Sequence, residues 1–326
     1  MIAVTGATGL LGTSIVRRLA EANHPVVAIK RSNSDTSLLA DVKGNIIFRD
    51  ADVEDVVSLR EALQDVSTVI HAAAVVSFNP RDKKKIFNTN VVGTQNVVDV
   101  CLDQNIEKLI HISSVAAIGR IKGAYEIDEN QKWIESPYHS AYAQSKYLAE
   151  LEVTRGHEEG LTTTILNPSV ILGPGDWNKS SSKLFKYIWK ERPFYIDGHL
   201  NYVSLRDVVN VVEQLLSTSH NGQRFIVNAG TISYNELFGF IAKNFNKNKP
   251  SLKIKGRLVS IVAWLSTAVS NLTGTDPLIT KELARATAQS VFFDNKKVKS
   301  MLNFEFEPLE ETLEWCCKHY ITAAEQ

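Results

Sequence analysis

The chain has 326 residues, and its 36 basic and 36 acidic side chains leave a formal net charge of zero at pH 7. That balance offers no basic field to a polyanion and argues against nucleic-acid binding by bulk electrostatics. Hydrophobic content of 44% and charged content of 22% are ordinary for a globular chain, long enough for one large domain or two modest ones. Cys101, Cys316 and Cys317 form no CxxC pair or His/Cys cluster. Neither a metal site nor a disulfide framework is therefore expected, and a reducing cytoplasm fits. The first apolar run is cut short by glycines and then by Arg17-Arg18, unlike a signal peptide.

Ile2-Ala3-Val4 reads as a buried strand, followed by the turn Thr5-Gly6-Ala7-Thr8-Gly9-Leu10-Leu11-Gly12. Leu11, Ile15, Val16 and Leu19 then recur at helical spacing. A strand, a glycine-rich turn and a helix N-terminus together accept a pyrophosphate, because backbone N–H groups and the helix dipole favour negative charge there. Gly6 and Gly9 would let the backbone approach the phosphates, and Gly12 would let the helix pack closely on the strand.

Pro25 to Ile29 reads as strand two, followed by Lys30-Arg31-Ser32; Asn45 to Phe48 is strand three, and Val56 to Leu63 a helix. Ser67 to Ala72 is strand four, running into Ala72-Ala73-Ala74. A long helix is expected from about Lys84 to Gln104, then strand five from Lys108 to Ile112, ending at Ser113-Ser114. A second long helix, Pro137 to Glu159, contains Tyr142 and Lys146, and Leu161 to Leu166 is strand six, ending at Asn167-Pro168. Apolar strands alternating with helices predict an α/β fold of the Rossmann type, a doubly wound parallel sheet covered on both faces.

Beyond Gly173-Pro174-Gly175 and Ser180-Ser181-Ser182 the composition changes. Tyr202 to Leu205, the helix to Leu216, and Arg224 to Val227 are expected to return to the sheet. The expected organisation is a dinucleotide-binding domain over 1–170, with 200–230 returning to it. A smaller, mainly helical substrate domain occupies the remainder of 171–326. The apolar stretch Leu258 to Leu272 is shorter than a membrane span and is interrupted by Ser260, Ser266, Thr267 and Ser270. It reads as a buried or lid helix, a membrane-surface helix being the lesser alternative beside Lys253, Lys255 and Arg257.

Tyr142-Ala-Gln-Ser-Lys146 places a phenol and an ammonium one helical turn apart on one face. A nearby cation favours phenolate, so the phenol could give or take a proton near neutral pH. Ser114, at the carboxyl end of strand five, could hold the same substrate oxygen, since ligands of such sheets bind at that edge. Ser113 is adjacent and is the alternative holder of that oxygen.

These motifs resemble the extended short-chain dehydrogenase/reductase superfamily, which includes the NAD-dependent epimerases and dehydratases. The matching segments are TGATGLLG at Thr5–Gly12, Asp52 after strand three, HAAA at His71–Ala74 and Asn90 in NVVGT. SSVAAIG at Ser113–Gly119, YAQSK at Tyr142–Lys146, NPSVILGPGD at Asn167–Asp176 and the tail Phe293-Asp294-Asn295-Lys296-Lys297 complete the series. The resemblance implies Tyr142 as proton donor or acceptor, Lys146 as the group that lowers its pKa and holds the nicotinamide ribose, and Ser114 as holder of the carbonyl oxygen. It implies cofactor contacts at Gly6, Thr8, Gly9, Leu10, Leu11, Asp52, Val53, Ala72, Ala73, Ala74 and Pro168. For Asp52 a turn or helix cap is the other role open. Asn90 reads as a structural hydrogen-bonding residue, and His71 as strand-end packing and not a general base.

Three departures separate the chain from sugar-modifying relatives. Val115-Ala116 stand where dehydratases carry an Asp-Glu pair, Leu200 where epimerases often have a diphosphate-binding arginine, and Asn167 where an arginine precedes the proline. What remains resembles the dihydroflavonol-reductase and 3β-hydroxysteroid-dehydrogenase branch, as does Gly274-Thr275-Asp276-Pro277-Leu278. The implied reaction interconverts a carbonyl and an alcohol on an apolar or aromatic small molecule. The aromatics Trp177, Phe185, Tyr187, Trp189 and Tyr195 could wall its pocket or form a small domain's own core. Strand two ends in Lys30 and Arg31 with no acid, which favours NADP(H) over NAD(H) through attraction of a 2′-phosphate. A sugar epimerase with retained NAD and a non-catalytic dinucleotide-binding regulator are the alternatives. Homodimerisation through the helices at 84–104 and 137–159 is a further implication of the resemblance.

Overall fold

Side chains along the strands alternate between two cores, and that alternation builds the sheet. Ala3 of β1 faces a core that includes Val27, Val69 and Leu109, whereas Val4 faces one that includes Ala28, Ile70 and Ile110. The computed structural model describes residues 1–42, 44–119, 126–136, 139–254 and 291–325. The stretches 258–272 and 274–278 lie outside the described residues.

In chain order the strands are β1 (Ile2–Thr5), β2 (Val26–Lys30), β3 (Ile46–Asp50), β4 (Thr68–His71), β5 (Lys108–Ile112), β6 (Glu126–Ile127) and β7 (Thr162–Pro168). They continue as β8 (Val170–Leu172), β9 (Phe194–Ile196), β10 (His199–Ser204), β11 (Gln223–Val227), β12 (Gly230–Ser233), β13 (Leu252–Ile254) and β14 (Phe292–Phe293). The helices are α1 (Leu10–Glu21), α2 (Val56–Ala62), α3 (Lys83–Phe87), α4 (Gly93–Asp103) and α5 (Ala141–Glu158). After them come α6 (Ser182–Trp189), α7 (Leu205–Ser217), α8 (Tyr234–Phe245), α9 (Lys296–Leu302) and α10 (Leu309–Glu325).

Seven strands form one sheet in the order β3-β2-β1-β4-β5-β7-β11, and every pair is parallel. The order reverses between β1 and β4, so a crevice opens there at the carboxyl edge. One face carries α1 and α7, through Ile15, Val16, Leu19, Val208, Val212 and Leu215. The other is covered by α2, α4 and α5, through Leu59, Val97, Val98, Cys101 and Val153. This is the Rossmann-type, doubly wound α/β fold expected from the strand–helix alternation.

Three local differences have physical causes. The helix expected over 84–104 contains a π-helical turn at Asn88–Val92. There the Asn90 side chain accepts from Val75 N at 2.7 Å and donates to Val75 O at 3.0 Å, tying the helix to the loop after β4. Helix α5 starts at Ala141, later than expected, because the Ser140 hydroxyl caps it by accepting from Ala143 N at 3.0 Å. Tyr202 to Ser204 do not return to the large sheet. Strand β10 pairs with β8 and β12 in a separate three-stranded sheet, while α7 and β11 do lie with the large one.

That second sheet shares a core with α6, α8 and α10, built on Phe185, Ile188, Leu237, Phe238, Ile241, Leu313 and Tyr320. Trp177, Trp189 and Phe245 pack around it, with Trp177 and Tyr320 rings 4.5 Å apart. The aromatics noted in the sequence therefore serve this core.

Gly12 of α1 packs directly on the turn that follows β1. A Cβ there would lie 2.1 Å from the Gly6 carbonyl oxygen, inside any tolerable contact. Gly12→Ala should therefore lose about 1–3 kcal/mol of stability, the usual size of an overpacking defect. Urea denaturation at 25 °C checks this; an unchanged midpoint would show that α1 can shift freely from β1.

Candidate active site

The turn between β1 and α1 uses its glycines for different reasons. Gly6 sits at φ +66°, and a Cβ on it would lie 2.8 Å from the Ala73 backbone, so the turn can approach Ala72 and Ala73 only as glycine. Gly9 has ordinary backbone angles and would meet nothing closer than 3.4 Å. No contact among the described residues requires glycine there, and what a side chain would obstruct is the open space before α1. Gly9 caps α1 without a side-chain hydrogen bond, and the first turn holds no acid. The unpartnered first-turn N–H groups at Leu10 and Leu11 and the positive helix end thus face the crevice. This cradle fits a pyrophosphate. Thr8 is half-buried within the turn and Ala74 is exposed after β4, and Pro168 closes β7 beside Val227.

At the end of β2 the two basic residues differ. Lys30 Nζ lies 2.5 Å from Asp50 Oδ1 at the end of β3, with only 15% of its side chain exposed. Arg31 is exposed, and its guanidinium has no ion pair or hydrogen bond among the described residues. Asp52 Oδ1 accepts from Glu54 N at 3.0 Å and shapes the turn after β3. Val53 is buried beneath α4, where its carbonyl accepts from Asn96 Nδ2 at 2.9 Å.

The structure brings Ser114, Tyr142 and Lys146 together and distinguishes the two serines. The Ser113 hydroxyl is committed to the buried Glu150 carboxylate. Ser114 caps a 3-10 turn, accepting from Ala116 N at 3.2 Å, and its hydroxyl is near enough to the Tyr142 phenol to favour the phenolate. Burial pushes that phenol above its ordinary range, and the Ser114 hydroxyl opposes the shift. Lys146 is 1% exposed, and Nζ donates to the Ile112 carbonyl at 2.8 Å. Its ammonium is thus directed at the end of β5, and the net direction for Tyr142 is upward in this arrangement. Phe78 packs edge-on against the Tyr142 ring at 5.9 Å.

Two buried histidines lie beneath this group. Lys146 Nζ is 3.5 Å from His111 Nε2, and the His111 and His71 rings are 5.2 Å apart on neighbouring strands. His71 bonds Thr5 Oγ1 at 2.7 Å and Thr94 Oγ1 at 3.0 Å. Burial, reinforced by the Lys146 charge, drives its imidazolium down to about 3, so His71 is a neutral packing group. His111 is pushed the same way by burial, then by Lys146 and His71.

The sequence reading passed over His111, Glu150 and Arg224. Glu150 stands four residues after Lys146 on α5, a spacing that could have flagged it. No sequence signal connects Arg224 to it from β11.

A parallel sheet with this crevice, a glycine cradle at a helix N-terminus and a Tyr-x-x-x-Lys helix beside it defines a dinucleotide-dependent oxidoreductase. Residues 2–230 match the model of the NAD dependent epimerase/dehydratase family, and the chain belongs to that family. It is 26% identical over 318 residues to a putative dihydroflavonol 4-reductase of Synechocystis sp., covering 95% of this chain and 91% of that one. It is 30% identical over 267 residues to sterol demethylase protein B of Methylococcus capsulatus, covering 80% of each. The UDP-glucose 4-epimerase of Thermotoga maritima has the same fold, with a TM-score of 0.82 over 99% of both chains at 19% identity. The chain is an NAD(P)-dependent oxidoreductase of the extended short-chain dehydrogenase/reductase type. Among the described residues no helix is long and apolar enough to cross a membrane, and no cluster could hold a metal ion.

Burial lowers the Lys146 ammonium from its ordinary 10.5 to about 8, while the Glu150 charge opposes the shift. Below that value both folded and unfolded chains bind the proton, and the penalty of burying it is fully present. As pH rises from about 8 toward 10.5 the folded state releases the proton first and the penalty is relieved. Wild-type stability should therefore rise over that window relative to Lys146→Met. Urea unfolding of both at pH 7 and pH 9.5 tests this, and a constant difference would contradict it.

Proposed function

We propose that the chain reduces an aldehyde or ketone on an apolar or aromatic small molecule, or runs the reverse oxidation, with NADP(H) as its preferred cofactor. The observation that carries this reading is the placement of Tyr142 one turn before the buried Lys146 on α5, with Lys146 Nζ anchored on the Ile112 carbonyl at the end of β5, where Ser114 follows. The nicotinamide, when bound, provides or accepts the hydride. Tyr142 gives a proton to the carbonyl oxygen, and Ser114 holds that oxygen. Lys146, charged at neutral pH, favours the phenolate left behind. Ser113 takes no part in this, being engaged by Glu150.

Several features weigh against a sugar nucleotide. Leu200 is 7% exposed inside the second core and cannot meet a diphosphate. Val115 is buried, and Val115-Ala116 offer no acid or base for dehydration. Phe78 beside Tyr142, 43% exposed, and Val76, 55% exposed, favour an apolar substrate. The names of the two curated relatives, a dihydroflavonol reductase and a sterol demethylase protein, point the same way.

The test is NADPH consumption across a panel of aldehydes and ketones. Tyr142→Phe should keep the fold and cofactor binding while kcat falls about a hundredfold or more, the scale of lost acid catalysis. Wild-type rates in that variant would remove Tyr142 from its role. Near-stoichiometric retained NAD, with no net NADPH consumption by the wild type, would overturn the reading in favour of epimerisation.

Cofactor choice rests on Arg31, because Lys30 is neutralised by Asp50. Arg31→Asp should lower kcat/KM for NADPH and shift the preference toward NADH. Lys30→Ala should shift it much less. Tighter wild-type binding of NADH than of NADPH, read by fluorescence titration, would refute the assignment.

A further inference from the structure

A carboxylate lies fully buried one helical turn beyond Lys146. Glu150 is 1% exposed, and its two oxygens do different things. Oε1 accepts from the Ser113 hydroxyl and, at 2.6 Å, from Asn167 Nδ2. The same Asn167 amide donates its other hydrogen to the Ser114 carbonyl at 2.8 Å. Oε2 faces the Arg224 guanidinium of β11 at 3.1 Å, an ion pair 29% exposed on the arginine side. Arg224 also reaches the Glu129 carbonyl at 3.5 Å, and Glu129 Oε1 accepts from Ile226 N at 2.8 Å. Glu150 therefore joins α5 to the ends of β5 and β7 and, through Arg224, to β11.

We propose that Glu150 is a positioning residue for the site, holding the Ser113–Ser114 turn in place and keeping Lys146 charged, with Arg224 as its counter-ion. The proposal rests on the roles given to Ser114 and Lys146 above. An uncompensated buried carboxylate is costly, and a polar side chain there need not be ionic merely to fill space. Its ligands explain what it does. Two of them, Ser113 and Asn167, are the groups that fix the backbone on either side of Ser114.

The electrostatic half follows from the neighbours of Lys146. On α5 they are Tyr142, a neutral phenol, and Glu150; on β5 and β4 they are His111 and His71, both held neutral. The Ile112 carbonyl adds a dipole. Glu150 is thus the anion whose attraction opposes the desolvation of the ammonium. Arg224 moderates that attraction from the far side.

The experiment follows the Lys146 ammonium directly, in full-length protein carrying 15N-labelled lysine, with the resonance assigned by its absence in Lys146→Met. Glu150→Gln keeps the shape and removes the charge, so the Lys146 titration midpoint should fall by about one unit, a common effect of one nearby charge. Arg224→Gln leaves Glu150 without its counter-ion, so the midpoint should rise. Glu150→Asp keeps the anion and should stay near wild type. The alkaline limb of kcat/KM for the best carbonyl substrate should move with these midpoints. Midpoints that stay fixed, or that move the same way in Glu150→Gln and Arg224→Gln, would overturn the proposal. If Glu150→Gln does not fold, the Arg224→Gln shift decides alone, since a partly exposed arginine tolerates replacement. The resonance needs no turnover. A chain that reduces no carbonyl but shows opposed shifts would lose its proposed reaction and keep its charge ladder; the reverse result would leave the reaction standing without Glu150.

Discussion

A lysine and a glutamate, each 1% exposed and one turn apart on α5, set the main constraint on this molecule. Neither charge is solvated by bulk water, so each needs partners placed by other elements. Lys146 finds the Ile112 carbonyl and His111 on β5. Glu150 finds Ser113 beyond β5, Asn167 on β7 and Arg224 on β11. Three adjacent strands therefore end where α5 requires, and the crevice inherits its shape from that agreement. The neutral histidines fit the same constraint, because a second cation beside Lys146 would be repelled, and the Lys146 charge contributes to holding both imidazoles neutral.

Much of this architecture was visible in the sequence because it rests on local patterns. Continuous apolar runs such as Val26 to Ile29 identify buried parallel strands, and TGATGLLG identifies the turn before α1. Tyr142 and Lys146 were legible for the same reason, being one turn apart on a single helix. What was not legible depends on residues far apart in the chain. Nothing near Arg224 says that it meets Glu150, 74 positions earlier on α5. The choice between Ser113 and Ser114 is likewise decided by Glu150 and not by either serine's neighbours. Strand β10 was misplaced because Tyr202 and Val203 have the same apolar character as a strand of the large sheet. Only pairing with β8 and β12 reveals which sheet they complete.

The late segment Phe293 to Lys297 shows how a motif far along the chain can serve the site. Asn228 Nδ2 donates to the Phe293 carbonyl at 3.0 Å, and Asn295 Nδ2 donates to the Asn228 carbonyl at 2.7 Å. Phe293 is buried with Val115, Ile118, Ile127 and Ile226, so it packs against the turn that follows Ser114. Together with the Glu129 bond to Ile226, these contacts give β11 support that does not pass through Glu150. Arg224 is thereby held on β11, which is the edge strand of the large sheet among the described residues. The counter-ion of a buried carboxylate needs that stiffness, because a mobile guanidinium would leave the charge uncompensated for part of the time.

The aromatic residues sort themselves by the same kind of reasoning. Trp177, Phe185, Trp189 and Tyr320 pack on one another, so their surface is consumed in holding the second core together. Phe78 differs because it touches Tyr142 and remains 43% exposed. An apolar side chain left open beside a phenol has unspent surface that water covers poorly. Leu200 carries the complementary argument, since its burial in the second core leaves that position without a cation for a diphosphate. The proposed preference for an apolar carbonyl compound therefore rests on where hydrophobic surface is left over. It does not rest on the total number of aromatic residues, since those of the second core are already satisfied by one another.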